Sequence, residues 1–448
     1  MSNIDHSALP ARGENSESDG VGSGARFVLP KAIFTVSLVV FVLISVLKSL
    51  RLPNLWATTQ LTFNYSHGFV RRGLLGELIR QAGLGPPYRY NILAAIGMVA
   101  FVPCAVGTAL LIRKALGTAE NRGRYQLEVL VTVASPAVVF IVHLAGYLDN
   151  FGMAAMLVFV LLYLRDRQRS PYLGFLIVSA LSILLAVIHE NLIVLFGPVM
   201  IFTVVCVGIR RLDNQGGGLR SRIVFSLCTI ATGAFCIGAS LLIARWGTRS
   251  QGEIDALRQA ITEASDFVPR KDAFIPLFLP LRENFYSVMP SIYNQPQYWW
   301  DFFFATAAVL PALAFLLYSG WNTISCIRLV PAFRFFLLIL FVGVSLSPLS
   351  LHLVGWDVSR WNALAIICAF FALSIIRIVF GDRLETASFM PAKRSSYFIG
   401  FTIAVISLEL AGGIQLFDNE KVRMYPYDSL IEFIIHWVQN GFSYIPNH

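Results

Sequence analysis

Charged residues are scarce in this chain of 448 residues, where Asp, Glu, Lys and Arg together make up only 14% of the sequence. Hydrophobic residues make up 56%, and the mean hydropathy is +0.66. A soluble protein of ordinary composition is not this apolar. The sequence also lacks a polar block large enough for an independent soluble domain. This composition excludes a chain made of several soluble domains, and it predicts one continuous helical domain in a membrane.

Cysteine motifs and nucleotide-binding motifs are also missing. None of the six cysteines forms a CxxC pair or a cluster with histidine, so neither a disulfide framework nor a zinc site is supported. The absence of a Walker motif argues against ATP-driven transport by this chain alone. We therefore predict no cofactor; a divalent metal stays open, but nothing in the sequence indicates one.

The start of the chain lacks the apolar core of a signal peptide, because residues 1–25 are polar and rich in Ser and Gly. Such a composition cannot bury enough apolar surface to fold by itself. We expect residues 1–31 to form a disordered cytoplasmic tail.

Apolar sequence in runs of roughly membrane-spanning length is abundant. We count eleven runs, which predict an all-α, polytopic integral membrane protein whose transmembrane domain covers residues 32–416. The runs are residues 32–49, 91–112, 126–145, 151–164, 171–188, 192–209, 223–244, 302–319, 334–353, 362–380 and 397–416.

The orientation prediction rests on Lys and Arg in the short connections between these runs. If the N-terminus is cytoplasmic, the inside loops carry seventeen such residues and the short outside loops carry only Arg360. Cytoplasmic loops are enriched in Lys and Arg, so we predict N-in, C-out topology in the cytoplasmic (inner) membrane. This topology also accounts for the net charge of +9, and no nucleic-acid partner is expected.

Three longer segments then fall on the outer side: loops 50–90 and 245–301 and the tail 417–448. Each contains a stretch with apolar residues at roughly helical spacing, which predicts a helix lying in the membrane interface. The three stretches are residues 73–83, 253–267 and 427–438.

The first outward loop holds an unusual concentration of polar and flexible residues. Its sequence NYSHGFVRRGLLGE, residues 64–77, includes His67, Arg71, Arg72 and three glycines. Glycine lets backbone N–H groups come close to phosphate oxygens, so these residues are candidates for binding the phosphate of a lipid carrier. The alternative is a snorkelling arginine pair that grips lipid phosphate without specificity.

Further polar clusters reach the same predicted face and would ring an outward cavity together with the first loop. Each cluster also has a structural explanation: a helix cap, a tight turn, or an ion pair at i,i+3 spacing. The clusters are Asp149 with Asn150, His189 with Glu190 and Asn191, and Asp357 with Arg360.

This set of residues suits the transfer of a sugar from a polyprenyl phosphate or diphosphate. A carboxylate or histidine can accept the proton of an acceptor hydroxyl, while arginines neutralise the departing phosphate. The candidate catalytic residues are Asp149, His189, Glu190 and Asp357, and Arg360 joins His67, Arg71 and Arg72 as a phosphate-binding candidate. The expected partners are a polyprenyl-linked sugar donor, a glycan or lipid-linked acceptor, and membrane lipids.

The whole arrangement resembles the polytopic glycosyltransferases of the GT-C superfamily, including the O-antigen and exopolysaccharide polymerase group. The local basis is the stretch FVRRGLLG, residues 69–76, with acidic residues Asp149, Glu190 and Asp357. The resemblance implies many spans, a cytoplasmic N-terminus, an active site in outward loops and lipid-linked donors. Many GT-C enzymes place a catalytic acid early in the first outward loop, whereas here no acid occurs between Arg51 and Glu77.

Three functions remain open from the sequence. The chain could be a membrane glycosyltransferase or polysaccharide polymerase acting at the outer face, a carrier or flippase for a lipid-linked saccharide or other anion, or an assembly subunit without chemistry. A carrier needs access to both membrane faces, whereas the polar clusters collect on one face. The sequence therefore favours the enzyme.

Overall fold

A computed structural model describes residues 29–49, 51–118, 122–166, 169–355, 357–384, 400 and 402–403. Helices dominate, and the described residues contain no β-strand. The predicted all-α architecture is confirmed. The α-helices are α1 (Lys31–Ser49), α2 (Leu55–Gln60), α3 (Leu74–Ile79), α4 (Tyr90–Thr118), α5 (Arg122–Ala134), α6 (Pro136–His143), α7 (Leu148–Arg165), α8 (Pro171–Ile188), α9 (Asn191–Asn214), α10 (Leu219–Trp246), α11 (Gln251–Glu263), α12 (Ile275–Phe278), α13 (Leu281–Glu283), α14 (Met289–Tyr293), α15 (Pro296–Ser325), α16 (Pro331–Leu346) and α17 (Val358–Phe380).

Shorter helical turns connect several of these elements. Two are π-turns, at Arg80–Leu84 and Asn284–Val288, and three are 3-10 turns, at Lys271–Phe274, Ser347–Leu353 and Gly381–Arg383.

Eight helices in the described part of the chain are long and apolar enough to cross a membrane, and a bent pair makes a ninth. The eight are α4, α7 to α10, α15, α16 with its 3-10 turn, and α17 with its terminal turn. About eleven spans were predicted. The run at 32–49 is helix α1, whose apolar part is shorter than a full span, and the run at 397–416 lies almost entirely outside the described residues.

The bend interrupts the predicted span at 126–145, where α5 and α6 meet at 49°. Ser135 caps α6 by accepting a hydrogen bond from the backbone N–H of Ala137, and Pro136 occupies the first turn. Proline has no N–H to continue the preceding helix, and a serine cap starts a new one. The sequence therefore ends one helix and begins another inside a single apolar run.

Helix α17 lies at the centre of the bundle. All of its span is buried, whereas α10 is only 22% buried and α4 28%. Helix α17 packs against α4, α9, α15 and α16. A helix that is apolar all round is placed in the core of a bundle, and the less buried helices face lipid.

Arg124 and Arg377 do not lie in cytoplasmic loops, as the charge count assumed. Arg377 is fully buried and donates two hydrogen bonds to Glu128, at 2.9 and 2.5 Å, while Arg124 lies 3.6 Å from the same carboxylate. Ser319 also donates to Glu128. The pairing with a carboxylate allows these charges to lie between helices α5, α15 and α17 instead of in water.

Two of the three stretches predicted to form interfacial helices are helical in the structure, and the third lies outside the described residues. The predicted stretch 253–267 overlaps α11 (Gln251–Glu263), which opens with a capping box between Ser250 and Glu253 and buries Ile254, Leu257 and Ile261. Residues 73–83 form α3 and most of the following π-turn. The stretch at 427–438 and the tails 1–28 and 417–448 lie outside the described residues. The N-in, C-out orientation stays a prediction.

Candidate functional site

A cavity of about 290 Å³ lies where several helix ends meet at one face of the bundle. It is bounded by the end of α8, the start of α9, the end of α10, the turn after α16 and the start of α17. Successive spans alternate in direction, so these ends all belong to one membrane face. Two connecting segments complete its wall, one at Arg71 and Arg72 and one at 272–284.

Arg72 and Glu190 form a two-pronged ion pair in the wall of this cavity. The Nε and Nη2 atoms of Arg72 donate to the two carboxylate oxygens of Glu190, at 3.1 and 2.6 Å. Arg72 is only 6% exposed and has φ of 65°, a left-handed conformation that is unusual for a residue with a side chain. The ion pair with Glu190 fixes the side chain of Arg72, and this contact offsets the cost of the unusual backbone conformation.

Arg71 points towards the same carboxylate from another angle. Its Nη1 lies 3.8 Å from Glu190, and its Nη2 donates to the backbone carbonyl of Leu279 at 2.8 Å. Its backbone N–H donates to the carbonyl of Gly247 at 3.2 Å. A Cβ at Gly247 would lie 2.5 Å from the Arg71 nitrogen, so this contact requires glycine. The close approach ties the end of α10 to the first outward loop.

Burial and the arginines act in opposite directions on the carboxyl of Glu190. Burial raises its pKa, but the positive charges of Arg72 and Arg71 outweigh burial and hold the pKa well below the usual value. Burial and the neighbouring Arg72 both lower the pKa of His189. His189 Nδ1 accepts a hydrogen bond from the backbone N–H of Asn191 at 3.1 Å, so the proton of the neutral ring is on Nε2.

Arg360 forms the second charged cluster, at the start of α17. Its Nε and Nη2 donate to the two oxygens of Asp149, both at 2.7 Å, and its Nη1 donates to Asp357 at 2.9 Å. The guanidinium also lies over the Trp361 ring, 4.4 Å from the ring centroid. Arg360 is 3% exposed, so one buried cation is shared by two carboxylates.

The two clusters have opposite local charge. Two arginines share the single carboxylate of Glu190, which leaves one excess positive charge. In the second cluster one guanidinium group, that of Arg360, contacts two carboxylates, those of Asp149 and Asp357. His189 lines the same cavity, and arginines of both clusters, Arg72 first, act on its charge. The cavity is polarised, and it can accept an anion at one end and a proton at the other.

The structure brings most of the sequence-predicted site residues together. Six of the eight line the cavity itself: Arg71, Arg72, His189, Glu190, Asp357 and Arg360. Asp149 lies behind the wall, bound to Arg360, because α7 begins at Leu148 and carries the carboxylate in its first turn. His67 is exposed and is not part of the cavity wall.

Two polar residues in the second wall segment, 272–284, were not predicted from the sequence. Asp272 lines the cavity with 41% of its side chain exposed, and it forms an ion pair with Arg270. Asn284 also lines the cavity and donates through Nδ2 to the carbonyl of Val354 at 2.7 Å. Both lie in a long loop of 245–301 that carries several other acids and amides. No local pattern distinguishes these two from their neighbours.

Glu77, the first acid of the first outward loop, holds the loop in place and is not part of the cavity. It accepts hydrogen bonds from Arg80 at 3.0 and 2.6 Å, from Gln81 at 2.9 Å and from the backbone N–H of Tyr65 at 3.2 Å. The bonds from Arg80, Gln81 and Tyr65 lower its pKa to about 2. This carboxylate braces the stretch that carries Arg71 and Arg72.

A second depression, of about 670 Å³, adjoins the cavity and shares four residues with it: Leu241, Ala244, Leu281 and Val354. We call it the side groove. It runs between the end of α10 and the segment 280–286. Helix α10 is the least buried of the eight spans in the described residues, so the side groove lies beside a helix that is largely exposed at the surface of the bundle. The side groove and the cavity are therefore adjoining depressions with a common wall.

No group of three or more His, Cys, Asp or Glu side chains in the described residues is arranged to hold a metal ion. The chemistry available in the cavity is that of carboxylates, a neutral imidazole and guanidinium groups.

The sequence comparisons identify a membrane protein family. Residues 30–252 match the family described as "Uncharacterised membrane protein Rv1490", and the chain is similar to that family over this range. No curated protein and no solved structure matches the chain. Together with its apolar helices, the match shows an integral, multi-pass membrane protein. The matched range contains Arg71, Arg72, Asp149, His189 and Glu190, while Asp357 and Arg360 lie beyond it.

Proposed function

We propose that this protein is a membrane glycosyltransferase that transfers a sugar or oligosaccharide from a polyprenyl phosphate or diphosphate to a glycan or lipid-linked acceptor. The reaction takes place in the polarised cavity, at the outer face of the cytoplasmic membrane. The observation that carries the proposal is the pairing of a positive and a negative cluster in one buried cavity. Glycosyl transfer from a phosphate requires both.

The Arg71–Arg72 end of the cavity receives the phosphate. Glu190 neutralises only one of the two guanidinium groups, and the surplus positive charge stabilises the negative charge that develops on the leaving phosphate. Arginine suits this role because its planar donors bind phosphate oxygens in pairs. His189 carries its proton on Nε2 and adds a neutral hydrogen-bond donor between the clusters.

Asp357 is the general base of the proposed reaction. Asp149 lies behind the cavity wall, and the charges of Arg72 and Arg71 hold the pKa of Glu190 well below its usual value, which makes Glu190 a weak base. Asp357 lines the cavity, and its side chain is 14% exposed, compared with 5% for Asp149 and 11% for Glu190. It has the best access to an acceptor among these three carboxylates.

The transfer step follows from these assignments. The acceptor oxygen attacks the anomeric carbon, and its proton passes to Asp357. The bond between the anomeric carbon and the phosphate oxygen breaks, and the phosphate leaves with the electron pair towards Arg71 and Arg72. Arg360 and Asp149 position Asp357 for this transfer.

A carrier for a lipid-linked saccharide is the second candidate, and one observation weighs against it. A carrier must open its site to both membrane faces in turn. At the opposite face, Glu128 and Arg377 are completely buried between α5, α15 and α17. The described residues offer a polar cavity at one face and a closed ion pair at the other, which favours chemistry over transport.

The test is glycosyl transfer by purified protein in detergent, supplied with a polyprenyl-linked sugar and an acceptor. We expect a new glycosidic bond, detected by mass spectrometry of the product. Asp357→Asn removes the base and should lower turnover by about 10²- to 10⁴-fold. Arg72→Ala removes a stabilising charge and should lower turnover by about 10²- to 10³-fold.

The matched control is Asp255→Asn on α11, which makes the same chemical change at a carboxylate that is 50% exposed and outside the cavity. Its turnover should equal that of the wild type. Binding of the lipid-linked sugar without product formation would support the carrier instead. Full activity of Asp357→Asn and Arg72→Ala would refute the site assignment.

A further inference from the structure

The side groove carries two arginines that have no role in the proposed reaction. Arg245 is the penultimate residue of α10, and Arg282 lies in α13 on the opposite wall. Both side chains belong to exposed residues, and neither forms an ion pair with a carboxylate of the described residues. Two unneutralised cations therefore face the same depression.

The rest of the side groove is apolar. Leu241, Leu281, Phe285 and Val354 are part of its lining, and no acidic residue belongs to that lining. The hydroxyl of Thr248 donates to the backbone carbonyl of Ala244 at 2.7 Å, so its proton is already used. Such a surface combines strong attraction for an anion with a preference for hydrocarbon.

The position along α10 indicates where the apolar part of a ligand would lie. Trp246 follows Arg245 and is 65% exposed, as is typical of a tryptophan at the membrane interface. One or more turns deeper, Ile230, Ile237 and Leu242 are exposed on the same helix. A molecule with its anion at Arg245 would therefore extend its chains along α10 into the hydrocarbon.

We propose that the side groove binds an anionic membrane lipid, whose phosphate is held between Arg245 and Arg282. Guanidinium groups bind phosphate oxygens in pairs and are well suited to this recognition. The bound headgroup lies at the lateral mouth of the cavity, and the chains lie against α10. This site is separate from the charges at Arg71 and Arg72, and it requires no chemistry in the cavity.

The test measures binding to the purified full-length protein in an uncharged detergent by native mass spectrometry. The probes are dioctanoyl phosphatidic acid, dioctanoylglycerol and inorganic phosphate, which separate the contributions of phosphate and chains. We expect phosphatidic acid to bind the wild type at least about tenfold more tightly than either other probe, because only phosphatidic acid satisfies both the arginines and the apolar lining.

The test variant is Arg245→Gln with Arg282→Gln, and we expect its affinity for phosphatidic acid to fall at least about tenfold. The matched control is Arg220→Gln with Arg258→Gln. It removes the same charge from the opposite end of α10 and from α11, outside the side groove. Its affinity should be unchanged. Both pairs lie at the surface, and size-exclusion chromatography verifies that each variant is folded.

Three results would overturn the proposal. Equal affinity of the wild type and the side-groove variant would show that the arginines do not bind the lipid. An equal loss in the control variant would show attraction by net charge alone. Inorganic phosphate or dioctanoylglycerol binding as tightly as phosphatidic acid would show a free-anion or an apolar site. None of these results depends on turnover, so this test and that of the proposed function fail independently.

Discussion

Single residues in the cavity have pKa values that differ from their usual ones, and His189 is the clearest case. Burial and Arg72 lower its pKa below the usual value of 6.5, so the native protein keeps it neutral. In the unfolded chain the same ring takes up a proton as the pH falls through 6.5. The contribution of His189 to the free energy of unfolding therefore decreases as the pH falls below 6.5.

Glu190 also makes the native protein less stable as the pH falls, but in a more acidic pH range. Its pKa in the native protein lies well below the usual 4.5 because the charges of Arg72 and Arg71 outweigh burial. Its contribution to stability is complete above pH 4.5 and decreases as the pH falls towards the native pKa. At pH 5.5, only the histidine contribution should have begun to decline.

We predict that the melting temperature of the wild type falls between pH 7.5 and pH 5.5, and that His189→Asn reduces this fall. Asparagine can still accept a hydrogen bond from the backbone of residue 191, but it does not titrate. The measurement is thermal unfolding in detergent at both pH values. His67→Asn is the control, because His67 is exposed and lies outside the cavity wall. An identical pH dependence in His189→Asn and the wild type would contradict the assignment.

At the scale of single residues, the sequence indicated which charged residues line the cavity better than it indicated their partners. The spacing of Asp357 and Arg360 predicted their ion pair, because it depends on one helical turn. The pairing of Arg360 with Asp149 joins residues 211 positions apart, and that of Arg72 with Glu190 spans 118. Such contacts depend on how the helices pack, which local patterns do not contain. The same limit explains why Asp272 was missed.

Among the helices, α17 connects the two charged regions of the bundle. Arg360 lies in its first turn and Arg377 in its last, and all of its span is buried. The sequence predicted a span at 362–380 from its apolar run. It did not predict that α17 would be central, because Arg377 resembled a loop charge until the buried partner Glu128 was visible.

We predict that Glu128→Gln destabilises the protein by about 3–5 kcal/mol, because it leaves the buried Arg377 without a compensating charge. The double variant Glu128→Leu with Arg377→Met should be markedly more stable than Glu128→Gln, since it removes both charges together. Thermal unfolding of each variant in detergent measures the difference. If Glu128→Gln melted at the wild-type temperature, the ion pair would have no structural role.

The orientation of the whole molecule in the membrane decides whether the cavity faces the cytoplasm or the outside. Alternation of the spans places His67 and the cavity on one face and Arg220, at the start of α10, on the other. The positive-inside rule predicts that the cavity faces the outside, even after Arg124 and Arg377, which pair with Glu128, are removed from the inside count of seventeen. Fifteen positive residues still remain on that side.

We predict that cysteine introduced by His67→Cys reacts with a membrane-impermeant maleimide in intact cells, and that Arg220→Cys reacts only after the membrane is opened. Both positions are exposed, so accessibility to the reagent depends on the membrane face. The wild type serves as the background, because its six native cysteines are buried or only partly exposed. The reverse labelling pattern would place the cavity in the cytoplasm.

The backbone contact between Gly247 and Arg71 links the end of a long membrane span to the charged cluster of the cavity. Helix α10 has 28 residues and is about 42 Å long, which exceeds the roughly 30 Å of hydrocarbon that it must cross. A helix with such a mismatch adjusts its tilt as the acyl chains lengthen or shorten. The end of α10 is bonded to Arg71 through Gly247, so we expect lipid chain length to change the distance between Arg71 and Glu190.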